Sequence, residues 1–188
     1  MIGYALCGSF CTHARSLGVL RVLRDSGEDI LPILSERAAS TDTRFGTAAE
    51  LISALARLTG REPICTVEEA EPLGPAVPLE ALIVAPCTGN TLAKLACGIT
   101  DTAVCMAVKA HLRTDRPLLI ALASNDALSA NLANLAHMLT RKNVYFVPMA
   151  QDDPVGKPHS LVAHFERIPD ALTAMRNGRQ IYPMFCEK

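Results

Sequence analysis

Two short stretches carry the residue types that hold an anion against bare backbone. Gly8-Ser9 follows an apolar run from Ile2 to Cys7 and precedes residues at helical spacing. Gly8 lets the main chain approach a ligand, and Ser9 can cap a helix or meet a phosphate oxygen. Cys87-Thr88-Gly89-Asn90-Thr91 follows a second apolar run, Ala81 to Ala85, which Pro86 is expected to close. Leu92, Leu95, Ala96 and Ile99 then recur at helical spacing. Strand, polar turn and helix start point free N–H groups at one place, where an anion gains from both donors and dipole. Either turn alone reads equally well as an ordinary capped connection. Two of them argue for a ligand at the carboxyl ends of parallel strands. Neither is a GxGxxG or GK[ST] motif, so the turns leave FMN and NADP both open.

Further candidates lie outside the turns. Arg44-Phe45 sits in the polar segment Ala38 to Gly46, where it either faces a planar anionic ligand or is a solvated arginine beside a packed ring. His13 directly follows the first turn and reads either as a base or as a structural helix-start histidine. No metal site is expected, because the five histidines and seven cysteines show no ligand spacing.

The elements that must position these residues alternate. A helix with Leu17, Leu20 and Leu23 on one face ends at Asp25-Ser26-Gly27, and Ile30 to Leu34 forms the next strand, ending at Ser35. Ala48, Leu51, Ile52, Leu55 and Leu58 mark a helix stopped by Gly60. Arg61 to Glu80, with four prolines and a weak ICTV strand, reads as an irregular connection. A helix from Ala103 to Leu112, a strand from Pro117 to Ala123 closed by Ser124-Asn125-Asp126, and a helix carrying Leu128, Leu132, Leu135 and Leu139 follow. Val144 to Val147 is the next strand, Gln151 to Ser160 a surface loop, and a last helix runs from Pro169 to Gly178. The pattern predicts an α/β fold: a doubly wound parallel sheet, flavodoxin-like or Rossmann-like, in one domain over 1–188 with 151–188 as a loop-and-helix extension.

Composition narrows the function classes. With 20% charged and 49% hydrophobic residues, a chain of 188 residues has a full core without staples. A formal net charge of -1 gives no reason to expect nucleic acid as partner. The longest uncharged run, Ala81 to Ala93, is too short and too broken to span a membrane, and strand-like sequence from Ile2 leaves no room for a signal peptide. Seven cysteines without paired spacing argue for reduced thiols in a cytoplasm, with Cys7, Cys87, Cys97 and Cys105 acting as small hydrophobes.

The first turn, the APCTGNTLAKLACGITD stretch and a strand ending at Asn125 together resemble the flavoprotein family of FMN-binding, homo-oligomeric Cys decarboxylases. STDTRFG (40–46), EPLGP (71–75), SNDAL (124–128), KNVYFVP (142–148) and the 151–160 segment resemble a branch whose members work with a separate partner, the A subunit of the same synthase. That branch makes an aromatic ring dicarboxylate in the mother cell of a spore-forming bacterium. The resemblance implies FMN at the carboxyl edge of the sheet, with Gly8 and Ser9 at its phosphate or ribityl chain and Ser35 lining the same pocket. Thr88, Gly89, Asn90 and Thr91 would surround phosphate and flavin ring, and Asn125 would contact a substrate carboxylate. The decarboxylases place a His between the second helix and the central strand, and this chain has none between His13 and His111. Oxidation of a small ring dicarboxylate fits better than decarboxylation of a peptidyl Cys: the flavin accepts a hydride and a base takes a ring proton. Arg44 is then the first candidate to fix the dicarboxylate, with Lys109 and Lys157 after it.

Overall fold

The computed structural model describes residues 1–186. Each apolar run becomes a buried strand: β1 (Ile2–Leu6), β2 (Ile30–Leu34), β3 (Ala81–Cys87) and β4 (Leu118–Ser124), with β5 (Val144–Phe146) beside β4. Adding β6 (Met149–Ala150) and β7 (Leu161–Ala163) gives a seven-stranded sheet of order β2-β1-β3-β4-β7-β6, with β5 pairing β4 off this path. All pairs from β2 to β4, and β4 with β5, are parallel, so the expected α/β sheet is present. The chain leaves β1 in one direction to β2 and returns through β3 in the other, which puts a topological switch between β1 and β3.

Helices cover both faces. Against one lie α1 (His13–Asp25), α3 (Ala48–Thr59) and α8 (Ile168–Arg176), packing Leu20, Leu55 and Leu172 onto Ile2, Tyr4 and Ile83. Against the other lie α4 (Val67–Ala70), α5 (Gly89–Cys97), α6 (Ala103–Leu112) and α7 (Leu132–Leu139), packing Leu92, Val108 and Met138 onto Leu82, Val84 and Ile120. A short helix α2 (Glu36–Ser40) follows β2. Among the described residues no helix is long and apolar enough to cross a membrane.

Five local expectations are corrected. Pro86 does not end β3: the strand runs through it to Cys87, and the register with β4 shifts between Val84 and Cys87. The missing N–H falls at that irregularity, and the Pro86 carbonyl still accepts from Cys7 N at 3.1 Å. Ala38 to Ser40 is helical rather than loop, because Ser35 caps α2 by accepting from Ala38 N. In the weak ICTV strand only Ile64 bridges to Ile33, and Thr66 with Glu69 forms a capping box for α4 instead. The helix expected from Leu128 begins at Leu132, since Ser129 N and Asn131 N both turn back to the Asp126 carbonyl. Cys97 is also exposed rather than packed, while Cys7, Cys87 and Cys105 are buried. Within the 151–188 segment, Leu161–Ala163 returns antiparallel onto the end of β4, and Glu187 and Lys188 lie outside the described residues.

A buried polar plug fixes α1 against the sheet directly below the first turn. Tyr4 Oη lies 3.1 Å from the Ser16 carbonyl and 3.0 Å from Ser16 Oγ, and Ser16 Oγ donates to the Ala85 carbonyl at 2.5 Å. Tyr4→Phe removes the single phenolic donor to Ser16 from a buried site and leaves the Ser16–Ala85 bond in place. The expected loss is about 1–2 kcal/mol, read as a drop of roughly 2–8 °C in Tm by thermal unfolding.

Candidate functional site

Three strand ends meet at one open cleft of about 780 Å³ over the switch point. After β1, the Cys7 carbonyl accepts from Ser9 N at 2.9 Å and the Ser9 carbonyl accepts from both Thr12 N and Thr12 Oγ1, so this turn is closed on itself. The Ser9 hydroxyl makes no capping bond. After β3, Thr88 caps α5: its Oγ1 accepts from Thr91 N at 3.1 Å and its carbonyl accepts from Leu92 N at 2.9 Å. The amides of Gly89 and Asn90 have no partner within the helix and face the cleft with the positive end of the dipole behind them.

The third wall is the end of β4. Asp126 binds Ser124 Oγ through Oδ1 at 2.5 Å and Asn131 Nδ2 through Oδ2 at 2.9 Å. The Ser124 hydroxyl first, then the Asn131 amide, hold this carboxyl below its usual range, and it lines the cleft as an anion. Gly89 is seated against this group. A Cβ there would come within 2.7 Å of Asn131 Nδ2 and Asp126 Oδ1, and closer still to Ser124 Oγ. Glycine at 89 is therefore a packing requirement of the site.

Of the residues expected at a ligand, the cleft gathers Gly8, Ser9, Thr88, Gly89, Asn90 and Asn125, with Arg44 and Lys157 on its walls. Arg44 stacks over Phe45, 4.8 Å from the ring centroid, and has no ion pair among the described residues. Lys157 is held 3.1 Å from Asp152 Oδ2, which keeps its ammonium charged. Four residues stand elsewhere. Ser35 is buried at the α2 cap, and Thr91 turns inward to the Cys7 thiol. Lys109 lines a separate cavity of about 230 Å³ with Ile99 and Arg141. His13 is buried with Nε2 2.7 Å from the Cys7 carbonyl and its ring 5.3 Å from that of Phe10, and it faces a different cavity between α1 and α3. Burial pushes the Cys7 thiol up to about 12 and raises Cys87 further, so neither supplies a thiolate.

Arg15, Asp126 and Asp152 were not singled out by the sequence reading and also line the cleft. Asp126 had a signal, a carboxylate immediately after a buried strand. Arg15 had none beyond its place in the first turn of α1, and Asp152 lies within the segment read as a surface loop, where only Lys157 was a candidate.

The Flavoprotein family model matches residues 2–177. The chain belongs to the Flavoprotein family. It is 39% identical over 186 residues to the B subunit of dipicolinate synthase from Bacillus subtilis (strain 168), covering 99% of this chain and 93% of that protein. The crystal structure of the dipicolinate synthase B subunit from Bacillus halodurans C superposes with a TM-score of 0.91 at 37% identity, covering 100% of this chain and 96% of the other. The FMN-dependent cysteine decarboxylase SpaF shares the fold, with a TM-score of 0.69 at 20% identity over 94% of this chain and 95% of its own. This flavoprotein thus has the same architecture as an FMN enzyme without that enzyme's sequence.

Two buried histidines set a pH dependence of stability. Burial lowers the pKa of His13 and of His111 below the ordinary value, so protonation favours the unfolded chain. Their contribution is complete above about pH 6.5 and is lost as pH falls through the lowered folded values. The urea midpoint is expected to fall between pH 7 and pH 5, and His13→Gln is expected to flatten that decline.

Proposed function

We propose that the cleft binds FMN and a small ring dicarboxylate, and that this chain acts as the B subunit of a dipicolinate synthase, beside the A subunit, in the cytoplasm of a spore-forming cell. The observation that carries the reading is the cleft itself. It combines the unpartnered amides of Gly89 and Asn90, the free Ser9 hydroxyl and the side-chain amides of Asn90 and Asn125. These donors suit a phosphate and the polar edge of a flavin. They suit an NADP phosphate less well, because the first turn lacks the glycine spacing of a dinucleotide fingerprint. Bound FMN would supply a two-electron acceptor.

The chain's own groups account for the rest. Three cations, Arg15, Arg44 and Lys157, line the cleft with two carboxylates, Asp126 and Asp152, and Arg15 is paired with Glu166 and Lys157 with Asp152. Arg44 is the cation without a carboxylate partner, and its planar fork can take a ring carboxylate bidentately. Asn125 would orient the second carboxylate. Asp126 fixes the floor under Gly89 and keeps the α5 amides aimed upward. The reaction that fits is oxidation of a reduced pyridine dicarboxylate to dipicolinate, and the similarity to the B subunits of dipicolinate synthase supports that substrate class. Arg44→Ala should raise KM for the dicarboxylate while sparing flavin uptake, and unchanged steady-state kinetics would remove Arg44 from the site.

The first experiment is an absorbance titration of the purified protein with FMN. A flavin band with saturable uptake is expected. Ser9→Ala or Asn90→Ala should weaken uptake by roughly one charge-assisted hydrogen bond, about 1.5–3 kcal/mol, or on the order of 10- to 100-fold in Kd. Absence of any uptake would sink the flavoenzyme reading and leave a protein that holds another nucleotide or none while the A subunit carries the redox step.

A further inference from the structure

The cleft described above needs a base, and the nearer candidates among the described residues are engaged: His13 is tied to a carbonyl in another cavity, both oxygens of Asp126 are occupied, and Asp152 is paired with Lys157. A second histidine stands beside the cleft. His164 follows β7, and its backbone N–H donates to the Pro148 carbonyl at 2.8 Å, which anchors it to the residue just before β6. Its Nδ1 lies 3.2 Å from Glu166 Oε1. The other oxygen of Glu166 accepts from Arg15 at 3.2 Å, and the Arg15 guanidinium rests over the Phe165 ring at 5.1 Å. Glu166 is therefore held from two sides. Against the opposing effect of partial burial, a bond from its own backbone N–H first, then Arg15, keep its carboxyl below the usual range. An ionised carboxylate at Nδ1 accepts that nitrogen's hydrogen and leaves the lone pair on Nε2.

His164 Nε2 is buried and has no hydrogen-bond partner among the described residues. A polar ring atom removed from water and left unpaired is costly in a folded protein unless something meets it there. His164 lines a small cavity of about 150 Å³, whose walls Arg15, Asp152 and Val162 are also walls of the large cleft. The two spaces adjoin along that seam, on the side of the sheet where β7 pairs β4.

We propose that His164 is the base of this site, with Glu166 as the residue that positions it. This rests on the reading of the cleft as a flavin and ring-dicarboxylate site. In the balance, one ring C–H bond would break with its electron pair going as hydride to a two-electron acceptor, the role that bound FMN would supply. A second ring hydrogen leaves as a proton to His164 Nε2, and its bonding pair becomes the new ring double bond. The imidazolium so formed faces Glu166 through Nδ1, while Arg15 remains with the other carboxylate oxygen. Two hydrogens leave the ring, one with two electrons and one with none, which is the balance that aromatisation requires.

The test uses the full chain with FMN, together with the A subunit. His164→Ala should lose on the order of 10²-fold or more in kcat, with KM nearly unchanged and FMN uptake as in the parent protein. Added imidazole should restore part of the rate. Glu166→Gln should lose less in kcat and should shift the pH profile of kcat, an effect that a merely structural contact on the surface would not produce. A His164→Ala variant that takes up FMN and turns over like the parent protein overturns the proposal. An independent readout needs no turnover: pyridine-2,6-dicarboxylate added to the FMN-loaded parent protein should move the His164 Nε2 resonance. No movement at saturation overturns the assignment of His164. Movement without any turnover supports the placement of His164 at the substrate and overturns the oxidation reading instead.

Discussion

Residue 89 has no room for a side chain, and much of the site follows from that. The end of β4, the start of α5 and the start of α7 converge on the Asp126 carboxylate, which Ser124 and Asn131 fill from either side. Only glycine lets the first turn of α5 settle onto that group. The contact fixes where the amides of Gly89 and Asn90 point, at the cleft between the ends of β1, β3 and β4. On the opposite wall, the closed Cys7–Thr12 turn and the Tyr4–Ser16–Ala85 plug hold α1 at a matching height. The site is a gap between two rigid anchors, not a hollow in a loop.

Much of this was legible because it depends on local signals. Unbroken apolar runs predict buried parallel strands, and β1 to β5 fall where those runs lie. Gly60 ends its helix in the left-handed conformation that its position implied. The two polar turns were visible as composition after a strand, and both open onto one cleft. What escaped was set by distant partners. Proline at 86 reads as a stop only if its N–H is needed by a neighbour, and the register shift beside β4 removes that need. The two- and three-residue strands β6 and β7 are too short for any periodicity, so their antiparallel pairing depends on the chain already laid down.

Side-chain direction explains the division among candidate site residues. Ser35 and Thr91 have the right types at strand and helix ends, yet each is drawn inward by a nearer partner, an α2 amide in one case and a buried thiol in the other. His13 follows the first turn in sequence, but one helical step turns its ring away from the cleft and onto the Cys7 carbonyl. Arg15, two residues later, points the other way. Adjacency in sequence places a residue near a site, and the helical rotation of about 100° per residue decides which side of the wall it occupies.

Asp126 raises an electrostatic question, because a carboxylate beside a helix start competes with any anionic ligand for the same dipole. Its geometry limits that competition. Both oxygens bond side chains, Ser124 and Asn131, and neither takes a hydrogen bond from the Gly89 or Asn90 amides. The donors at the α5 start therefore remain directed at the cleft, while the carboxylate adds a negative charge beneath them. Arg15, Arg44 and Lys157 stand around the same space and offset that charge, though Arg15 and Lys157 are already engaged with Glu166 and Asp152. An anionic ligand in this cleft meets amide donors, a hydroxyl and one unpaired arginine before it meets any uncompensated negative charge. Under the proposed function, recognition rests on directed hydrogen bonds more than on net field, which favours a planar, polar-edged anion over anions in general.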